Sequence, residues 1–501
     1  MHVFDLAIVL SYLGAVIASG LFFARRQKTT ARYFTAGHQV PWWAIAASIV
    51  ATETSTITFI SVPGIAWANG GDFRFLQIVF GYLIARVIIA SVFMPWYFRG
   101  ELVTVYELLQ TRFGAGVKAL AASLFVIMRT IADGVRLLLT AFVLAAVFKS
   151  LGVAACVIGL GMVMIVFTLI GGIEAVVWIE VVQFAIYLGG ALAVVAVLLG
   201  EVGFAEAVSL GAAHQKFRVF DFSFDLSKTF NFWSGVIGGT FLTLSTHGTD
   251  QYLVQRYLCT DRPRSAAKAL LASGVVVLVQ FALFLFIGVL LFAFYRGGAP
   301  VSAPDQVFPH FIANHLPVGL SGLVIAAILA AAMSSSLNAI AATVVDLVIP
   351  SVSEGPWGGA ARSSSHPSPG SLAHARDDKR AMRLSRIITV LAGLAQIGVG
   401  VAMQHEARSA LNTVLAVAGL INGPILGVFF LGATKRASSP AAFIGMTAGL
   451  IVVMLVAFAT PVAWPWYTLV GSVTTWSVGM IVAWIWRGRS ESSSSSPRAA
   501  M

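Results

Sequence analysis

Three clusters of polar side chains interrupt long apolar runs in this chain, and their chemistry is that of ion and solute binding rather than bond making. The first is Ala51-Thr52-Glu53-Thr54-Ser55-Thr56, followed by Pro63-Gly64. The second is Ser245-Thr246-His247-Gly248-Thr249-Asp250-Gln251, preceded by Gly238-Gly239. Where a helix unwinds in an apolar medium, freed carbonyls and nearby hydroxyls are oxygen ligands of the kind a hard cation takes. The third cluster, Arg129, Asp133 and Arg136, is spaced i, i+4 and i+7 and so shares one helical face. Two guanidiniums and one carboxylate leave a net positive charge, and Arg offers bidentate geometry to a carboxylate. That leans towards an organic anion or a zwitterion such as an amino acid. The same stripe would also serve as a brace between helices. No nucleophile–base set or phosphate loop is present, and Cys156 and Cys259 form no metal spacing, so neither an enzyme nor a bound cofactor is expected.

The elements that position these clusters follow from composition. The 501 residues are 58% hydrophobic and 11% charged, too little polar surface for a water-soluble fold of this size. About thirteen apolar segments are long enough to span a bilayer: roughly 4–24, 42–68, 75–97, 117–148, 152–170, 176–200, 231–256, 267–295, 318–347, 385–404, 409–432, 440–460 and 463–487. The expected class is therefore all-α, a polytopic membrane protein. If the first loop is cytoplasmic, 22 of the 32 Lys and Arg fall on the cytoplasmic side and 7 on the outer side, which predicts the N-terminus outside and the C-terminus inside the cell (inner) membrane. The net charge of +11 thus reflects orientation and implies no nucleic acid; no obligatory protein partner is evident. Residues 351–383 and the tail 488–501, rich in Ser, Gly, Pro and charge, are expected to be disordered. Lipid does not tolerate the polar interruptions in segments 42–68 and 231–256. Two broken helices five spans apart are the pattern of an inverted-repeat transporter.

At these residues the chain resembles the sodium:solute symporter family. AGHQVPWWAIAASIVA (36–51), TVYELLQTRFG (104–114), GGIEAVVWIEVVQ (171–183), GTDQYLVQRYL (248–258), LAAAMSSSLNAIAA (329–342) and GPILGVFFLG (423–432) match family motifs in order, over roughly residues 1–490. The resemblance implies a leucine-transporter-like fold of two inverted five-helix repeats, about 42–200 and 231–432. It also implies alternating access and cation-coupled symport of a small polar solute. It carries the main sodium site onto the carbonyls of Ala51 and Thr54 and onto Ser334 and Ser335. The ninth segment is about four residues short of the family pattern: one register puts Ser334 and Ser335 on the main ion pair, the other on an additional site, with Ala331 and Ala332 on the main one. Glu180 stands where the family has an Asp near sodium, and would balance that ion or carry a proton instead. Solute positions carried over are Ser55, Thr56, Thr58, Gln77, Asp250, Gln251 and Tyr252, beside Arg129 and Arg136 from the charge stripe. An uncoupled substrate-sensing membrane protein is the competing reading. Of the remaining intramembrane polar residues, Arg86 is expected to pair with an acid or snorkel, and His247 to pack through a hydrogen bond.

Overall fold

The computed structural model describes residues 2–24, 35–54, 56–98, 102, 104–148, 151–298, 301, 303–333, 336–348, 370–404, 410–434 and 436–494. These are helical, with no strand among them. The main helices are α1 (Val3–Ala24), α2 (Trp42–Glu53), α3 (Thr56–Trp67), α4 (Leu76–Ile88), α5 (Ala115–Val147), α6 (Val153–Val202), α7 (Gly239–Gly248), α8 (Gln251–Leu258) and α9 (Pro263–Phe294). They continue as α10 (Leu320–Met333), α11 (Leu337–Val348), α12 (Gly370–Ala402), α13 (Ala410–Ala433), α14 (Ser439–Ala459) and α15 (Tyr467–Ser494). Each expected apolar segment coincides with helix. Among the described residues, eight helices are by themselves long and apolar enough to cross a membrane, or nine when the bent pair α2–α3 counts as one span. Two expected segments, 152–170 and 176–200, join in the single helical run α6 across Gly171-Gly172.

Helix also enters stretches whose composition argued for disorder. α12 begins at Gly370 and α15 runs to Ser494. The sequence AHARDDKRAMR within α12 explains the first: it is rich in good helix formers. Residues 351–369 and 495–501 lie outside the described residues.

Close backbone contacts join the helices around the breaks. A Cβ on Gly288 of α9 would lie 2.2 Å from the Pro63 carbonyl of α3, and one on Gly81 of α4 would lie 2.7 Å from the Gly235 carbonyl at the start of the seventh segment. Only glycine permits such approach. Gly274 of α9 likewise leaves room for the Arg86 side chain, which a Cβ would meet at 2.7 Å. Outside the spans, buried Lys216 closes the end of α3. Its Nζ donates to the carbonyls of Ala66, Trp67 and Ala68 at 2.9, 3.2 and 2.6 Å, and sits 4.2 Å over the Phe292 ring. A cation at a helix C-terminus satisfies carbonyls that have no partner inside the helix. Asp5, unexpected in an apolar first segment, does the opposite job at the start of α10, accepting from Gly319 and Gly322 N–H at 2.6 and 3.0 Å.

Candidate functional site

The second segment breaks after Glu53. Thr54 leaves helical geometry (φ −86°, ψ 73°), its N–H still returning to the Val50 carbonyl, and α2 and α3 meet at a 58° bend. The local cause is the Thr-Glu-Thr-Ser-Thr run, whose hydroxyls compete for backbone partners. Thr58 Oγ1 donates to the Glu53 carbonyl across the break at 3.3 Å. Thr56 Oγ1 donates to the Ile328 carbonyl of α10 at 3.1 Å and receives Thr140 Oγ1 of α5 at 3.1 Å. Ala51, Thr54, Thr56 and Thr58 are all buried. Ser55 lies outside the described residues, as do Ser334 and Ser335.

The seventh segment breaks at Thr249-Asp250, between α7 and α8. Asp250 is extended (φ −90°, ψ 120°) and caps α8, its Oδ1 accepting from Tyr252 N–H at 2.9 Å. Its Oδ2 receives Arg129 at 2.9 Å, and the Arg129 guanidinium lies 4.4 Å over the Tyr252 ring. Three of the expected solute residues, Arg129, Asp250 and Tyr252, are thus brought together.

The charge stripe of α5 reaches further. Arg136 pairs with Asp133 at 3.3 Å. Asp133 in turn receives the Ser336 hydroxyl, between α10 and α11, and the Gln396 amide of α12 at 3.4 Å. Arg136 lies one turn from Thr140, which donates to the Arg136 carbonyl at 3.0 Å and to Thr56. The stripe braces α5 to its neighbours: Arg129 to the seventh-segment break, and Asp133 to Ser336 and to α12.

Two buried ion pairs flank the breaks. Arg86 of α4 pairs with Glu53, and His247 joins them at 3.3 Å from Arg86 and 3.5 Å from Glu53. Arg86 therefore has an acid partner and does not snorkel. Glu180 of α6 pairs with Arg256 of α8 and accepts from Ser48 and, at 3.2 Å, from Thr52 of α2. Both partners are 1% exposed, so Glu180 is not a helix-end carboxylate bathed in water. Arg256 closes the expected segment 231–256 and was given no role there. The signal that it belongs inside was its position four residues after Tyr252, over whose ring its guanidinium stacks at 4.5 Å. Ser48, Thr140, Ser336 and Gln396 were also not singled out: Ser48 and Ser336 sit inside the quoted motifs, where the serine run could have marked Ser336, while Thr140 and Gln396 are uncharged and isolated in apolar sequence.

Two expected solute residues are used structurally. The Gln77 carboxamide accepts from Asp221 N–H at 3.1 Å and donates to the Arg74 carbonyl at 3.1 Å, tying α4 to the outer loop. Gln251 Oε1 accepts from Val105 N–H at 2.8 Å, joining α8 to the 102–114 stretch.

Interrupted spans meeting around buried, paired charges in an all-helical membrane bundle define a leucine-transporter-like secondary transporter. The description of the Sodium:solute symporter family matches residues 33–349, and the chain belongs to that family. It is a transporter, not an enzyme. It is 31% identical to the sodium/sialic acid symporter NanT of Aliivibrio fischeri, over 94% of this chain and 91% of that one. A solved structure of a Na+-coupled sialic acid symporter, substrate-bound and outward-open, superposes with a TM-score of 0.84 at 26% identity, covering 96% of this chain and 98% of that chain. The nucleobase-cation-symport transporter Mhp1 shares the fold, with a TM-score of 0.61 at 15% identity over 92% of this chain and 95% of its own.

Proposed function

We propose that this protein imports a small carboxylate-bearing solute together with sodium, and that sialic acid is the first solute to test. The observation that carries the reading is a pair of buried guanidiniums on one face of α5: Arg129 holds Asp250 at the seventh-segment break, and Arg136 lies one turn from Thr140, which reaches Thr56 past the second-segment break. A guanidinium held at membrane depth binds a carboxylate bidentately and costs free energy if left unmatched. The likeness to sialic acid symporters supports the same solute class.

In this reading the carbonyls of Ala51 and Thr54, with Ser334 and Ser335, hold sodium. Ser55, Thr56 and Thr58 line the solute beyond the break, and Arg136 meets its carboxylate. Glu180, already matched by Arg256, balances charge near the ion instead of carrying a proton. The two repeats are about 42–200 and 231–432, and the chain lies in the cell (inner) membrane with its N-terminus outside and its C-terminus cytoplasmic.

The test is uptake into proteoliposomes under imposed sodium or proton gradients, with sialic acid, monocarboxylates, amino acids and neutral sugars. Sodium-driven uptake of an acid, abolished in Arg136→Ala, is expected. Uptake of neutral sugars alone, or driven by protons alone, would overturn the assignment.

A further inference from the structure

The stretch 220–233, which leads into the seventh segment, carries its aromatic side chains outward. Phe220, Phe222, Phe224 and Trp233 are 47, 63, 70 and 38% exposed, whereas Asp221 among them is buried. The rings form one continuous surface. Phe222 stacks on Phe220 at 5.7 Å and meets Phe232 at 5.0 Å, and Trp233 packs on Phe232 at 5.5 Å and on Phe224 at 6.1 Å. Four such rings, each offering about 150–250 Å² in full, leave a patch of the size that marks an interaction surface. Backbone bonds hold the stretch from behind. Asp221 N–H donates to Gln77 of α4 at 3.1 Å, Phe232 N–H to the Asp221 carbonyl at 2.7 Å, and Ala463 N–H, just ahead of α15, to the Leu226 carbonyl at 2.8 Å. Trp233 Nε1 donates to the Phe222 carbonyl at 3.3 Å, so the indole N–H is matched inside the stretch.

What covers the patch follows from where it begins. Phe220 stacks on Phe80 of α4 at 5.9 Å. Phe80 stands seven residues into the span Phe73–Tyr97, about 10 Å along it by the helical rise. Exposed Ile84 and Val87 follow Phe80 at i+4 and i+7, on the same face. An exposed apolar stripe on a spanning helix faces acyl chains, which are as apolar as the side chains themselves. Phe220 extends that stripe sideways, so the aromatic surface starts beside the bilayer and not above it. We propose that the stretch 220–233 is an interfacial anchor, with Phe220, Phe222, Phe224 and Trp233 lying at the boundary between headgroups and acyl chains on the membrane face where α4, the seventh segment and α15 begin. Arg218 and Lys228, both with about half of the side chain exposed, supply the charged ends that stay in water while the rings are buried, as a segment lying in the interface requires. Continuity with the α4 stripe favours lipid over a second copy of the chain as the partner. The bilayer then fixes the entry to the seventh segment from one side, as Gln77 does from the other.

The experiment places a thiol-reactive, polarity-sensitive fluorophore on Phe222→Cys or Phe224→Cys in the full chain, reconstituted in phosphatidylcholine nanodiscs. Cys156 and Cys259 are buried, which leaves the introduced thiol to react. Three quenchers are compared: phosphatidylcholine with a nitroxide near its headgroup, the same lipid with the nitroxide at its chain end, and iodide in the water. The headgroup nitroxide should quench several-fold more than iodide, and more than the chain-end nitroxide. Any other ranking overturns the inference. Iodide strongest would put the rings in water, and the chain-end nitroxide strongest would put them below the interface. No quenching by any of the three, with Phe222→Cys forming disulfide-linked dimers, would mean that a second copy covers the patch. The unaltered chain provides a test that no folding defect can confuse. Hydroxyl-radical footprinting in the same nanodiscs should leave Phe220, Phe222, Phe224 and Trp233 little oxidised, despite their exposure on the protein. Heavy oxidation of these rings overturns the inference as well.

Discussion

The two broken spans solve the same problem in opposite ways. At the second-segment break the side chains are short neutral hydroxyls, and the nearest acid, Glu53, is drawn aside by Arg86 and His247. At the seventh-segment break an acid sits in the gap, capping α8 with one oxygen and holding Arg129 with the other. The first break keeps formal charge out of the gap itself. The second fills itself and is fastened to α5. The two interruptions therefore differ in what they leave over, and an acid in the gap, Asp250, against a neutral hydroxyl, Thr54, is the residue difference that decides it.

This contrast can be broken by substitution. The largest effect is expected at Asp250. Asp250→Ala removes the cap, worth about 1 kcal/mol, and strands a buried guanidinium, worth about 3–5 kcal/mol. Asp250→Asn should lose only the second part, so melting curves in detergent should rank unaltered chain, Asn, Ala in falling order. Equal melting temperatures for all three would mean that the seventh-segment break is not locked by charge. Glu53→Gln at the other break should cost less than Asp250→Ala: it strands buried Arg86, at about 3–5 kcal/mol, but removes no helix cap. A loss as large as that of Asp250→Ala would erase the distinction between the breaks. Thr56→Val keeps shape and deletes two hydroxyl bonds, at about 1 kcal/mol each. Solute uptake should fall more than stability does; a fall in stability alone would remove Thr56 from the solute site.

The smallest effect belongs outside the membrane. Hydrogen bonds from Ser223, and then the charges of Lys228 and Arg218, hold the Asp221 carboxyl below its usual range. A carboxyl lowered on folding stabilises above the unfolded value of about 4 and loses that contribution as pH falls through the folded value. Asp221→Asn should cost within about 1 kcal/mol at neutral pH, because its partners Arg218 and Lys228 are themselves exposed to solvent. Protease cleavage of the 218–228 loop in the unaltered chain should rise only below about pH 4. Cleavage that increases already at neutral pH would show that the loop is not held by this carboxylate.

How much of this was legible beforehand depended on whether a residue carries its signal alone or through its partner. The breaks were readable because polar runs cannot sit unmatched in an apolar span. Arg129, Asp133 and Arg136 were readable as a stripe because the helical period aligns them. The matching of Glu53 to Arg86, and of Glu180 to Arg256, was not: those pairs are 33 and 76 residues apart, and period says nothing about which distant helix lies opposite. Gln77 and Gln251 show the converse limit. A carboxamide beside a break has the right chemistry for a solute, yet backbone N–H groups of Asp221 and Val105 occupy both. Helix at 370–383 was missed because flanking Ser, Gly and Pro dominated the composition.

The glycine contacts between α9 and α3, and between α4 and the start of the seventh segment, constrain how this molecule opens and closes. Main chain resting on main chain leaves no slack for one rod to slip past another, whereas interdigitated side chains can change rotamer. Each pair so joined, α3 with α9 and α4 with the start of the seventh segment, must swing as one lever. The joints with α5 have more give, because polar side chains and not bare backbone make them.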